Sequence, residues 1–418
     1  MGPRTQQHLV DALDNGTFTD VFLFSHGWNN DWTTALGRYR DFMTTFRKMI
    51  NSKGFEFDRD YRPLLAGVFW PSATLVMPWE RGPQFAGDEG TTAAEEIDLS
   101  LITDLAARVD RDQLTDFYRL VERQSLDKTE ATELLELLSA TFAAGDPDLD
   151  ADDHRDVRDV LAAWTQTEAA VSPRRQPQPR SPGDFGTAAP APAPTEPEAA
   201  GFLDKLNPRN LVRLLTVYQM KDRAGVVGAA GIGPLLRGML DATTASTRFH
   251  LIGHSYGARV LLNAVARPVG PVLPRPVTSM LLLQPAINHL CFSTLPDGRV
   301  GGYRPALGLV DRPILTTFSS HDFPLRNTFH IALQRAKDLG EVEIAADEPP
   351  NRYAALGGWG PRGDVGFHEV GIKDPGEPYE LTDGAPEVWA VNGSRTIGGH
   401  GDVVNDSTAW ALFQLARA

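Results

Sequence analysis

Six short apolar runs along the chain predict buried β-strands. Each run is flanked by turn-forming or polar residues, which is typical of strands that are covered by other elements. The runs lie at 21–24, 65–70, 249–252, 279–284, 313–318 and 387–391. Strand and helix patterns already alternate within residues 1–80.

Apolar residues at steps of three and four predict helices in the middle of the chain. The clearest positions are Leu114, Phe117, Tyr118 and Val121, then Leu134, Leu135, Leu137 and Leu138. A further helix is predicted over 153–167, and another begins at Asn207-Pro208 with Leu211, Leu214, Leu215 and Tyr218 on one face. This spacing places the apolar side chains on one side of each helix, where they need a partner to cover them.

Composition divides the chain into four parts. Residues 1–90 and 201–418 carry the strand patterns, and residues 91–170 form a helical insertion between them. Residues 171–200 are dense in proline and poor in aliphatic side chains, so they are predicted to be a disordered or extended linker. Two interpretations of the insertion remain open: a lid over an apolar pocket, or a surface that binds a partner.

The pentapeptide Gly-His-Ser-Tyr-Gly at 253–257 is the most specific motif. It follows a strand pattern and precedes a helical one, the context in which G-x-S-x-G becomes a nucleophile elbow. There Ser255 is held in a strained turn with its hydroxyl exposed, and the flanking glycines avoid collisions. An ordinary turn is the alternative, and the rest of the chain decides between the two.

A serine nucleophile also needs two N–H donors for the oxyanion. The first is the backbone N–H of Tyr256, directly after the serine. The second is expected from the loop after the strand at 21–24, which contains His26-Gly27 and places the N–H of Trp28 in the required position. The candidates for contact with substrate are His26, Gly27 and Trp32. For the tryptophans, packing in the core is the alternative to lining a pocket.

The orienting acid is expected at the end of a strand after the elbow. Asp322 follows the strand at 313–318 and is the predicted acid, with an Asx turn or a helix cap as the alternative. Asp311 lies at the wrong end of that strand, and His321 is interpreted as a neighbour of the site.

The general base is expected last in the chain. His400 lies in a glycine-rich loop between the strand at 387–391 and a helix pattern at 407–415, which gives the order serine, aspartate, histidine. His289, His330 and His368 all precede that last strand. Asp402 is a second candidate for holding the loop.

These motifs resemble the α/β-hydrolase superfamily, and within it bacterial hydrolases of esterase or lipase type. The stretches that carry the resemblance are 22–30, 66–72, 218–228, 251–262, 281–287, 314–327 and 398–410. The resemblance implies an α/β fold with a mostly parallel sheet of about eight strands and helices on both faces. The chain departs from this pattern in its long insertion, which puts the shape of a substrate pocket in doubt.

Charge and cysteine content restrict the possible functions. The 418 residues carry a net charge of −14, which disfavours nucleic acid and anionic membranes as partners. The single cysteine, Cys291, excludes an internal disulfide and is predicted to be buried. No run reaches the about 18 apolar residues of a membrane span, and no secretion signal is visible at the start. We therefore expect a cytoplasmic protein.

The sequence as a whole predicts a serine hydrolase that acts on a small-molecule carboxylic ester, with no metal or cofactor. Ser255 would attack the ester, His400 would act as base, and Asp322 would orient the base. Two alternatives remain: an amidase or peptidase with the same residues, and an interaction module that kept the fold without catalysis.

Overall fold

The computed structural model describes residues 3–28, 30–72, 102–103, 105–142, 156–171, 206–295, 298–330, 349, 351–381 and 387–417. The predicted linker at 171–200, apart from Val171 at the end of a helix, and all of 73–100 lie outside these residues.

The centre of the fold is one seven-stranded sheet in which every pairing of the described strands is parallel. The strands are β1 (Asp20–Ser25), β2 (Pro63–Val68), β3 (Arg248–His254), β4 (Ser279–Leu283), β5 (Ile314–Phe318), β6 (Phe367–Gly371) and β7 (Val388–Asn392). Their order across the sheet is β2-β1-β3-β4-β5-β7-β6. Parallel strands need crossover connections, and helices lie in those between β1 and β2, β2 and β3, β3 and β4, and β5 and β6.

The helices in chain order are α1 (Pro3–Asn15), α2 (Trp32–Lys53), α3 (Leu114–Val121), α4 (Lys128–Leu137), α5 (Ser139–Phe142), α6 (Val157–Val171), α7 (Pro208–Val226), α8 (Gly233–Asp241), α9 (Tyr256–Ala266), α10 (Leu356–Trp359) and α11 (Asp406–Arg417). A π-helical segment (Val227–Ile232) joins α7 to α8, and a second one spans Pro324–Thr328. A 3₁₀ helix spans Arg304–Leu309.

Two apolar cores cover the two faces of the sheet. Successive side chains of a strand point to opposite faces, and Leu23 and Leu251 belong to one core while Phe22 and Ile252 belong to the other. The central strands β3, β4 and β5 are buried almost throughout, which explains their continuous apolar sequences. Cys291 is buried and forms no disulfide.

The six strands predicted from apolar runs are present, with ends shifted by one or two residues. β6 was not predicted. It is an edge strand whose side chains are largely exposed, so it lacks an apolar run. The resemblance implied about eight strands, and the described residues form seven.

The described helices of the insertion pack onto the main core. Phe117, Leu135 and Trp164, from α3, α4 and α6, are fully buried in the same apolar cluster as Leu215 of α7. A short antiparallel bridge between Leu126 and Leu206 fastens the insertion to the segment before α7. The predicted apolar faces therefore have a partner. The roles of lid and of partner surface both stay predictions.

The π-helical segment after α7 packs very closely against α9. A Cβ atom at Gly228 would lie 2.2 Å from the carbonyl oxygen of Val260, so only glycine fits there. α9 begins directly after Ser255, the predicted nucleophile, and this close packing helps to fix the position of the helix.

Among the described helices, none combines the length and apolarity that a membrane crossing requires.

Candidate active site

Ser255 lies in the turn between β3 and α9 in a strained backbone conformation. Its φ is 55° and its ψ is −125°, a region that residues other than glycine rarely occupy. A Cβ at Gly253 would lie 2.5 Å from Cα of Ala258, and a Cβ at Gly257 would lie 2.1 Å from the carbonyl oxygen of Ser25. Both glycines of the motif are therefore required by close backbone contacts, as predicted.

Three side chains from distant parts of the sequence form a hydrogen-bonded chain at the carboxyl ends of the strands. His400 Nε2 lies 2.8 Å from Ser255 Oγ, and His400 Nδ1 lies 2.8 Å from Asp322 Oδ2. An ionised carboxylate only accepts, so Nδ1 carries the proton and Nε2 is left to accept from the serine hydroxyl. The structure thus brings together the three residues that the sequence selected, with the histidine in the tautomer of a general base.

The carboxylate of Asp322 is fully buried and is held by two further donors. Gln284 Nε2 donates to Oδ2 at 2.9 Å, and the backbone N–H of Leu325 donates to Oδ1 at 3.0 Å. Thr317 Oγ1 donates to the side-chain oxygen of Gln284 at 3.1 Å. This contact fixes which end of the Gln284 side-chain amide faces Asp322. Sequence reasoning missed Gln284. Its only local signal is a polar side chain at the end of an apolar strand.

His254, the residue before the serine, was also missed. Its Nε2 donates to the carbonyl oxygen of His400 at 2.8 Å, and its ring lies 5.1 Å from the His400 ring between centroids. Burial lowers the pKa of His254 well below its usual value, and the nearby His400 and Arg38 lower it further. A neutral imidazole with one N–H is therefore available to fix the backbone of the predicted base.

The loop after β1 lies directly against the elbow. A Cβ at Gly27 would lie 2.7 Å from Cβ of Ser255, so glycine is needed for the close approach. The side chain of Asn30 donates to the carbonyl oxygens of Gly27 (3.0 Å) and Trp28 (2.8 Å), which holds the loop in shape. The ring of Trp28 lies 6.1 Å from that of Tyr256 between centroids.

Trp28 and Tyr256, whose N–H groups are the predicted oxyanion donors, both lie next to the turn at Ser255, and the donor role stays a prediction. Tyr256 is the first residue of α9, and N–H groups of the first helical turn point out of the helix N-terminus. Trp28 follows the glycine that touches the serine. A partial positive charge at this position is suited to an oxyanion.

The side chains of the other two candidates for substrate contact, His26 and Trp32, pack against aromatic rings. The imidazole of His26 is buried and stacks on the Trp70 ring at 5.6 Å, and burial lowers its pKa. Trp32 is 63% exposed and stacks on Phe69 at 3.8 Å. The structure places Gly27 against Ser255. The rings of His26 and Trp32 instead pack against Trp70 and Phe69, which follow β2. Their contact with a substrate stays a prediction.

Within the described residues, no group of three or more His, Cys, Asp or Glu side chains has a geometry that would hold a metal ion. Comparison of the chain with protein-family models, with curated proteins and with solved structures found no match.

Proposed function

We propose that this chain is a serine hydrolase with an α/β-hydrolase fold that cleaves carboxylic esters through an acyl-enzyme on Ser255. The observation that carries the proposal is the chain of contacts from Ser255 through His400 to the buried Asp322, with both distances at 2.8 Å. The parallel sheet supports it, because the three residues follow the carboxyl ends of β3, β5 and β7.

The first half of the reaction forms the acyl-enzyme. His400 Nε2 takes the proton of the Ser255 hydroxyl as Oγ attacks the ester carbonyl carbon. The negative charge that develops on the carbonyl oxygen is stabilised by the N–H groups of Trp28 and Tyr256, and loss of one such donor costs about 3–4 kcal/mol in comparable sites. His400 then gives its proton to the leaving alcohol as the C–O bond breaks.

The second half releases the acid. A water molecule loses a proton to His400 Nε2 and attacks the acyl carbon, and the tetrahedral intermediate returns Ser255 when the proton goes back to Oγ. Asp322 accepts the hydrogen bond from His400 Nδ1 and stabilises the imidazolium in both halves. These steps need only the side chains and N–H groups named here.

Labelling with a fluorophosphonate tests the proposal. Wild type should be labelled at Ser255, since the reagent reacts only with an activated serine, and Ser255→Ala should not be labelled. The matched control is Ser246→Ala, which changes an exposed serine outside the site. A folded wild-type protein without label would contradict the proposal and favour the interaction module.

Paired substrates separate ester from amide cleavage. The expected result is hydrolysis of p-nitrophenyl esters, with p-nitroanilides of the same acyl group at least about a hundredfold slower in kcat/KM, which corresponds to about 2.7 kcal/mol of barrier. Equal rates would assign the site to an amidase or peptidase that uses the same residues.

A further inference from the structure

We propose a second binding site, separate from Ser255, that takes a free long-chain carboxylate such as a fatty acid. The site is a groove between the second half of α2 and the segment 55–65, which leads into β2. It goes beyond the proposed function, and its test does not depend on hydrolysis.

One wall of the groove is a stripe along α2. Arg40, Met43, Arg47 and Ile50 recur at steps of three and four, so their side chains lie on one face of the helix. Arg47 lies 15 residues after the first residue of α2, which is about 22 Å along the axis. Because α2 begins beside the loop of Trp28, these later turns lie far from Ser255.

The other wall is aromatic and aliphatic. It consists of Phe55, Phe57, Tyr61, Pro63 and Leu65. The rings of Phe57 and Tyr61 are stacked, with centroids 3.8 Å apart, so the wall is preformed. Leu65 is 55% exposed on strand β2, whose outer edge pairs with no described strand. An apolar side chain exposed in a concavity is a feature of ligand sites.

The size of the groove fits a chain-like ligand. Its volume is about 610 Å³, within the range of about 300–1,000 Å³ that is usual for small-molecule sites. A second hollow of about 200 Å³ adjoins it and shares Arg40, Met43 and Leu65. The two together give an elongated apolar channel along α2.

The charged side chains of the groove favour a ligand with an anionic head group. Arg40 and Arg47 are both exposed, and the side chain of neither makes an ion pair or hydrogen bond within the described part of the chain. Arg59, the third arginine of the groove, is already engaged: it binds Asp20 through two contacts of 2.6 and 2.7 Å. The free guanidinium groups therefore lie on the α2 wall, where a carboxylate would accept hydrogen bonds from them.

Glu56 is the one carboxylate among the lining residues, and it lies on the opposite wall from the two arginines. Its charge would repel an anionic head group, which places the carboxylate of the ligand towards α2. An apolar tail with one anionic end matches both this charge distribution and the apolar lining.

Calorimetric titration of the full chain tests the proposal. Ser255→Ala should bind monomeric dodecanoate at one site, and dodecanol about tenfold more weakly because it lacks the charge. Arg40→Gln combined with Arg47→Gln should reduce dodecanoate affinity to that of dodecanol and leave dodecanol unchanged. Glu56→Gln should tighten dodecanoate binding, and Arg108→Gln, an exposed arginine on another part of the chain, should change nothing.

Two further measurements complete the test. Ile50→Glu, which puts a charge into the apolar wall, should remove both ligands while thermal unfolding shows a folded protein. Wild type blocked by fluorophosphonate should bind dodecanoate as before. Equal affinities for the acid and the alcohol, or unchanged affinity in the double arginine variant, would overturn the proposal. Loss of dodecanoate binding after the fluorophosphonate has reacted with Ser255 would overturn it as well. So would sedimentation that shows wild type as a dimer and Ile50→Glu as a monomer.

Discussion

The imidazole Nε2 of His254 lies 2.8 Å from the carbonyl oxygen of His400. The residue before the predicted nucleophile thus holds the backbone of the predicted base. Because His254 is buried and its pKa is strongly lowered, it stays neutral and keeps a single donated proton across the neutral pH range. If His400 is the base, we expect His254 to be a positioning residue that acts through it.

Removing this contact should slow the reaction with little effect on substrate binding. His254→Leu is expected to lower kcat for ester hydrolysis by about five- to tenfold, since one hydrogen bond of about 1–1.5 kcal/mol no longer orients the base. His254→Gln keeps an N–H near the same position and should recover part of the rate. A change in KM alone, or equal rates in both variants, would speak against the positioning role.

Gly27 and Gly37 form a matched pair for testing the approach of the first loop to the elbow. Gly27→Ala should reduce fluorophosphonate labelling by at least about a hundredfold, because the new Cβ would lie 2.7 Å from Cβ of Ser255. Gly37→Ala meets no atom within 4 Å and lies inside α2. It should leave labelling unchanged and stabilise the helix by about 0.5–1 kcal/mol. Normal labelling of Gly27→Ala would contradict the described contact.

The strain at Ser255 should be measurable as stability. Ser255→Gly removes the Cβ that makes φ 55° unfavourable, whereas Ser255→Ala retains it. The free energy of unfolding of the glycine variant should therefore exceed that of the alanine variant by about 1 kcal/mol, after the flexibility of glycine in the unfolded chain offsets part of the gain. Urea unfolding of the two variants measures this difference. An equal or lower value for glycine would mean that the turn stores no strain.

Stability should fall in mild acid because of buried histidines. Burial and the charge of Arg362 lower the pKa of His289 to about 3, against about 6.5 in an unfolded chain. As the pH falls, the unfolded state binds the proton before the folded state does. The contribution of neutral His289 to the free energy of unfolding is therefore complete above about pH 6.5 and is lost as the pH falls towards 3. In that window the wild type should lose about 1.4 kcal/mol per pH unit more than His289→Gln.

Urea unfolding at a series of pH values measures both slopes. The exposed His8 provides the control. The free energy of unfolding of His8→Gln should change with pH as that of the wild type does. Parallel curves for wild type and His289→Gln would show that His289 is not protonated on unfolding in this range.

Much of this arrangement follows from local sequence. The runs at 249–252 and 279–284 became β3 and β4 because burial on both faces demands continuous apolar residues. The glycines at 253 and 257 have local causes too, since the turn itself creates the collisions they avoid. The chain order of Ser255, Asp322 and His400 was enough to select residues that the fold then brings into contact.

The missed features have causes that are distant in sequence. Gln284 binds a carboxylate 38 positions later, and His254 binds a carbonyl 146 positions later. Neither contact produces a periodic pattern in the amino-acid sequence, because a single hydrogen bond constrains one residue and not its neighbours. β6 escaped prediction for the opposite reason: its position at the sheet edge leaves Phe367–Gly371 without the burial that produces an apolar run.

The separation of Ser255 and His400 by 145 positions also affects how the protein is made. A ribosome completes the serine, its elbow and its oxyanion loop well before it reaches the histidine. At about 5–20 residues per second, this interval lasts roughly 7–30 seconds. During that time the growing chain holds the proposed nucleophile without the proposed base that would activate it. Because the contact needs both side chains, the proposed reaction could begin only after the chain has been made through residue 400.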